Sequence, residues 1–88
     1  MKPTHEYRLS ISTEYLAREK REKGRDVRAW IEDYARRNRI QTRTEQQQNV
    51  PGLVGETTEY LVTTFKSENQ LDWFVRKGNQ AWPYFEFI

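Results

Sequence analysis

Alternation opens the readable part of the chain. Tyr7, Leu9 and Ile11 fall on one side and Glu6, Arg8 and Ser10 on the other, which predicts a half-buried strand over His5 to Ser12. Ser12-Thr13-Glu14 then supplies a cap hydroxyl and an acid for a helix start. The apolar stripe Val27, Trp30, Ile31, Tyr34 and Ala35 has helical spacing, so helix is predicted to about Asn38. Between these stretches, Arg18 to Asp26 is almost all charge and contains Gly24. The expectation is one long helix that tolerates Gly24 and projects a polar portion. The alternative is a break at Gly24, with Asp26 capping a second helix.

Period two returns at Ile40 to Gln48, where almost every position is polar. Pro51-Gly52 marks a turn, and Thr57 to Phe65 follows as a Thr/Tyr/Val-rich strand, so the two runs predict a hairpin. Ser67 with Gln70 has the spacing of a capping box. Leu71, Phe74 and Val75 form the stripe of a short helix expected to stop at Gly78, and Tyr84 to Ile88 is expected as a closing strand. The order β-α-β-β-α-β is the ferredoxin-like arrangement of the α+β class: a two-layer sandwich with a four-stranded antiparallel sheet and two helices on one face. Its usual strand order, 4-1-3-2, puts the polar second run and the strand entered through Pro83 at the edges, where both are tolerated. Trp30 and Trp73 are expected in the core.

Composition narrows the functional classes. With 88 residues and no linker, residues 1–88 are expected to form one domain. Tryptophan, tyrosine and phenylalanine make up 14% of the chain, which argues against disorder. Cysteine is absent, so disulfides, thiolate metal sites and cysteine chemistry are excluded. No apolar run suits a membrane span and no apolar stretch follows Met1-Lys2-Pro3-Thr4, so a cytoplasmic location without membrane contact is expected.

The net charge of +2 hides an asymmetry: residues 18–43 carry ten basic and five acidic groups, residues 44–88 three and six. Four pairs place an acid four residues before a base: Glu14–Arg18, Glu19–Lys23, Glu32–Arg36 and Asp33–Arg37.

No catalytic constellation emerges. His5 is the single histidine and lacks convergent partners; Glu32 and Asp33 point about 100° apart on a helix; the four glycines form no phosphate-cradling loop. No enzyme activity and no cofactor or metal are expected. The third strand, Glu59 to Phe65, places Tyr60 and Phe65 on opposite faces, so the paired rings of an RNA-recognition sheet are not there.

The candidate contact residues are therefore of three kinds. Arg18, Arg21, Arg25, Arg28, Arg36 and Arg37 (with Arg39 beyond them) form the basic segment. Val50, Leu53 and Val54 are apolar residues at the hairpin tip. Trp82 and Tyr84 alternate with Phe85 and Phe87, and alternation buries only one set, leaving the other on the open sheet face.

The expected function is that of a small non-enzymatic binding protein, an inhibitor or adaptor that occupies a surface of a larger protein or nucleoprotein complex. It would act as a monomer or as a weak homodimer through an edge strand. A phage or mobile-element inhibitor of a host nucleic-acid-processing complex, evading host defence, fits by plausibility rather than by motif. The alternative is a nucleic-acid-binding regulator that contacts phosphates through the basic helix.

Overall fold

A computed structural model describes residues 7–48 and 57–87. The described residues form an α+β fold, with a three-stranded antiparallel sheet and three helices. In order come β1 (Tyr7–Ser12), α1 (Thr13–Lys23), α2 (Val27–Arg37), β2 (Gln41–Gln48), β3 (Thr57–Phe65) and α3 (Glu68–Ala81). The sheet order is β1-β3-β2, with Leu9 opposite Thr63, Ile11 opposite Leu61 and Arg43 opposite Val62. The three strands thus keep the relative order expected for them, and β3 lies in the centre. The hairpin tip with Val50, Leu53 and Val54, and also His5, lie outside the described residues.

Among the described residues the expected four-stranded ferredoxin-like layout does not appear: three strands are present. Tyr84 to Phe87 is not a strand. Pro83 and Tyr84 instead make a turn directly after α3, the Phe85 N–H donating to the Trp82 carbonyl at 3.1 Å. Proline with its fixed φ favours such a turn. The turn sends Phe85 and Phe87 into the core rather than alongside β1, so among the described residues the outer edge of β1 has no neighbouring strand.

The core lies on the sheet face that carries Leu9, Ile11, Leu61 and Phe65, and Leu16, Val27, Ile31, Ala35 and Phe74 close it from the three helices. A chain of rings runs through it. Tyr15 stacks on Phe85 with centroids 4.7 Å apart, Phe85 meets Phe87 at 4.9 Å, Phe87 meets Phe74 at 5.8 Å, and Phe74 meets Phe65 at 5.2 Å. Each such pair contributes about 0.5–1.5 kcal/mol beyond the burial of its area. The segment after α3 is thereby tied to α1, α3 and, through Phe74, to β3.

The long first helix breaks. Gly24 adopts a left-handed conformation (φ 65°), and Asp26 caps α2 by accepting from the Ala29 N–H at 3.1 Å. Glu19 clamps this elbow twice. Its carbonyl accepts from the Arg25 N–H at 3.3 Å, and its buried carboxylate lies 3.2 Å from Lys23 Nζ and 3.7 Å from Arg25 Nε. The expected Glu19–Lys23 and Asp33–Arg37 pairs form, whereas Glu32 pairs with Arg28 and Arg36 with Asp33.

α2 ends in a Schellman motif: the Ile40 N–H reaches the Ala35 carbonyl at 2.8 Å and the Arg39 N–H reaches that of Arg36 at 3.5 Å. Ile40 is buried as the apolar stop of this motif, so β2 begins one residue later than expected. The left-handed position is held by Arg39 (φ 56°), at a cost of about 1–2 kcal/mol for a residue with a Cβ.

α3 starts at the expected cap, with Ser67 Oγ accepting from the Gln70 N–H at 3.2 Å; Gln70 Oε1 accepts from the Lys66 N–H at 2.8 Å, one residue before the Ser67 N–H that a capping box would use. It does not stop at Gly78 but runs on to Ala81. Gly78 is a packing glycine, buried under Phe87.

Candidate partner-binding surfaces

The six expected helix arginines divide by charge pairing. Arg25 pairs with Glu19, Arg28 with Glu32, and Arg36 and Arg37 both with Asp33, at 2.6 and 3.0 Å respectively. Lys20 likewise meets Asp26 at 3.3 Å. Arg18 and Arg21 are exposed and have no ion pair among the described residues. The basic segment is therefore not a uniform positive stripe: much of its charge is balanced by its own acids, Arg25 by the buried Glu19 and the others in more exposed pairs that contribute little to stability. The shallow groove along α2 lined by Ala29, Glu32, Asp33 and Arg36 belongs to the same internally paired network.

Asp26 titrates below the usual carboxylate range. The Ala29 N–H is the main cause, opposed by partial burial and supported by Lys20 and Arg28. Burial raises the Tyr34 phenol. Asp26 serves as a helix cap and Tyr34 as a ring packed against the core, so neither shift marks a reacting group.

The aromatic candidates are redistributed. Trp82, expected to contact a partner, packs partly buried against the core, and its Nε1 is buried without a hydrogen-bond acceptor among the described residues. Tyr84 stays 80% exposed, and the Arg25 guanidinium stands 5.8 Å from its ring centroid. Trp73, expected in the core, is 54% exposed, with Lys77 Nζ 4.8 Å over its ring. The reason is angular. Trp73 precedes Phe74 by one residue, about 100° around the helix, and Phe74 takes the core side with Gly78 one turn on. Trp30 keeps its core-side place, with Tyr34 at 5.4 Å and Phe74 at 5.6 Å. Trp73 and Tyr84 are thus the two large rings exposed among the described residues, and each has a cation near its ring.

A second surface was not legible from sequence spacing. The sheet face away from the helices carries Arg8, Ser10 and Ser12 from β1, Tyr60, Val62 and Thr64 from β3, and Gln41, Arg43, Glu45 and Gln47 from β2. Arg43 crosses this face, its guanidinium 3.4 Å from Thr64 Oγ1 and 3.2 Å from Glu45 Oε2. Glu45 is the one acid among the described residues of the face. At one corner an open cleft of about 260 Å³ is lined by Arg39, Gln41, Thr64, Phe65 and Lys66. Only the fold brings Arg39 and Lys66 together: one follows α2, the other follows β3, and the Gln41–Thr64 register aligns them.

Among the described residues no group of histidines and carboxylates is arranged to hold a metal ion, and no helix is long and apolar enough to cross a membrane. No protein-family model matches this chain, and no curated protein or solved structure resembles it at a significant level.

Proposed function

We propose that this protein is a non-enzymatic binding module that occupies a surface of a larger protein, as an inhibitor or adaptor. The observation that carries this reading is the pair of rings left outside the core, Trp73 and Tyr84, with Lys77 and Arg25 beside them. Tryptophan, tyrosine and arginine dominate the energetics of protein interfaces, because a large rigid area is buried at small entropic cost. A ring already facing a cation suits a partner that offers an apolar pocket rimmed by acidic groups. Arg18 and Arg21 add unpaired positive charge that steers such a partner without reading bases. The concrete form of this reading is an inhibitor of a nucleic-acid-processing complex of the kind a phage or mobile element would carry.

The alternative, phosphate contact through the basic helix, has less support, because Arg25, Arg28, Arg36 and Arg37 are held by acids of their own segment.

Affinity capture from nuclease-treated lysate tests the proposal when wild type is compared with Trp73→Ala and Tyr84→Ala. A discrete protein partner held by wild type and weakened at least tenfold by either substitution supports it. Capture that disappears with nuclease, or that ignores both substitutions, overturns it.

A further inference from the structure

We infer that the corner of the sheet face away from the helices is a phosphate-binding site for single-stranded nucleic acid, centred on Arg39 and Lys66 and extending along β3 to Tyr60. This site is separate from the ring surfaces of the proposed protein interface and does not depend on them.

Four observations converge on it. Arg39 and Lys66 line one cleft with the polar side chains of Gln41 and Thr64, and neither cation has an ion pair among the described residues. Arg43 lies on the same face, where the single described acid, Glu45, is bound to it. Among the described residues of the cleft, Arg39 and Lys66 therefore leave an excess of positive charge, which complements a polyanion. Arg39 sits at the left-handed position of a Schellman motif, where glycine is at ease and arginine is strained. A costly arginine there is explained if its side chain is needed where the strain points it, into the cleft.

Tyr60 supplies the last element. It lies on the central strand, on the same face as Val62 and Thr64, and is half-buried. Lys66 and Tyr60 are six residues apart, about 20 Å of extended chain. That length suits a few nucleotides of single strand, with phosphates at the corner and one base against the tyrosine ring. The paired rings of an RNA-recognition sheet are not required for this geometry, which holds the backbone and is expected to be tolerant of sequence.

The test measures fluorescence anisotropy of a short, mixed-sequence, labelled single-stranded RNA and its DNA counterpart across a range of salt concentrations. Five variants accompany wild type: Arg39→Gly, Lys66→Gln, Tyr60→Ala, Tyr60→Phe and the helix control Arg18→Gln/Arg21→Gln. Arg39→Gly relieves backbone strain, so its melting temperature is expected to equal or exceed that of wild type while oligonucleotide affinity falls at least fivefold. The slope of log affinity against log salt should drop by about 0.7 for each phosphate contact removed from a single strand. Tyr60→Ala should weaken binding with little change of slope, and Tyr60→Phe should restore it. The helix control should bind nearly as wild type does. Absence of binding at low salt, an unchanged affinity in Arg39→Gly, or a helix control that loses as much as the corner variants would each overturn the inference.

Discussion

The ring of Phe87 lies directly over Gly78: a Cβ placed on Gly78 would stand 2.6 Å from Cζ of that ring. Gly78 is buried inside α3, and Phe87 is buried among Trp30, Phe74 and Phe85. The ring therefore has little room to retreat. This contact holds the segment after α3 against the helix layer, and among the described residues the β1 edge has no neighbouring strand.

Gly78→Ala gives a prediction whose sign is diagnostic. In an unobstructed helix interior the substitution would stabilise by about 1 kcal/mol. Here the clash with Phe87 should reverse that, destabilising by about 1–3 kcal/mol. Urea denaturation reads the difference directly, and Phe87→Ala in the same assay should lose about 3–5 kcal/mol.

The two helix tryptophans should behave differently. Trp30 touches Tyr34, Phe74 and Phe87, so Trp30→Ala is expected to cost about 3 kcal/mol or more. Trp73 is more than half exposed, and Trp73→Ala should stay within about 0.5 kcal/mol of wild type. Thermal denaturation of both variants checks this. A Trp73→Ala protein as unstable as Trp30→Ala would place that ring in the core.

What the sequence reveals and what it hides have physical reasons here. The strand Thr57–Phe65 and the cap at Ser67 were readable because β-branched alternation and cap chemistry are local. Alternation left open whether Phe85 and Phe87 or Trp82 and Tyr84 are buried; Phe85 and Phe87 are buried and Tyr84 is exposed, but Trp82 packs partly buried against the core. That alternation says nothing about a ladder partner, which the turn at Pro83 removes. Gly24 could be read either way, because the four acid–base pairs all lie to one side of it or the other and suit one helix or two, and a helix can tolerate a glycine at modest cost, while a glycine with a following Asp26 also suits a break. The left-handed Gly24 and the Asp26 cap show that the break prevails. The Arg39–Lys66 corner was hidden because it depends on strand register, which spacing along the chain does not determine.

The elbow makes a pH-dependent prediction. Asp26 is held below its ordinary carboxylate range by the Ala29 N–H, so it contributes stability above its unfolded pKa. That contribution should be lost as pH falls from about 4 through the lower folded value. At neutral pH, Asp26→Ala should cost about 1 kcal/mol. The gap between this variant and wild type should narrow in acid, whereas Asp26→Asn should keep the cap without that pH dependence. Urea denaturation at neutral and acidic pH reads both effects.

Site-specific photo-crosslinking tests the proposed protein interface most directly. A benzophenone side chain is placed in turn at Trp73, at Tyr84 and, as a control on the other sheet face, at Gln47, and each protein is irradiated in nuclease-treated lysate. The account predicts one discrete crosslinked protein from positions 73 and 84 and none from position 47. Crosslinks from position 47 with none from positions 73 and 84 would contradict it, as would crosslinks at 73 and 84 to nucleic acid alone in untreated lysate.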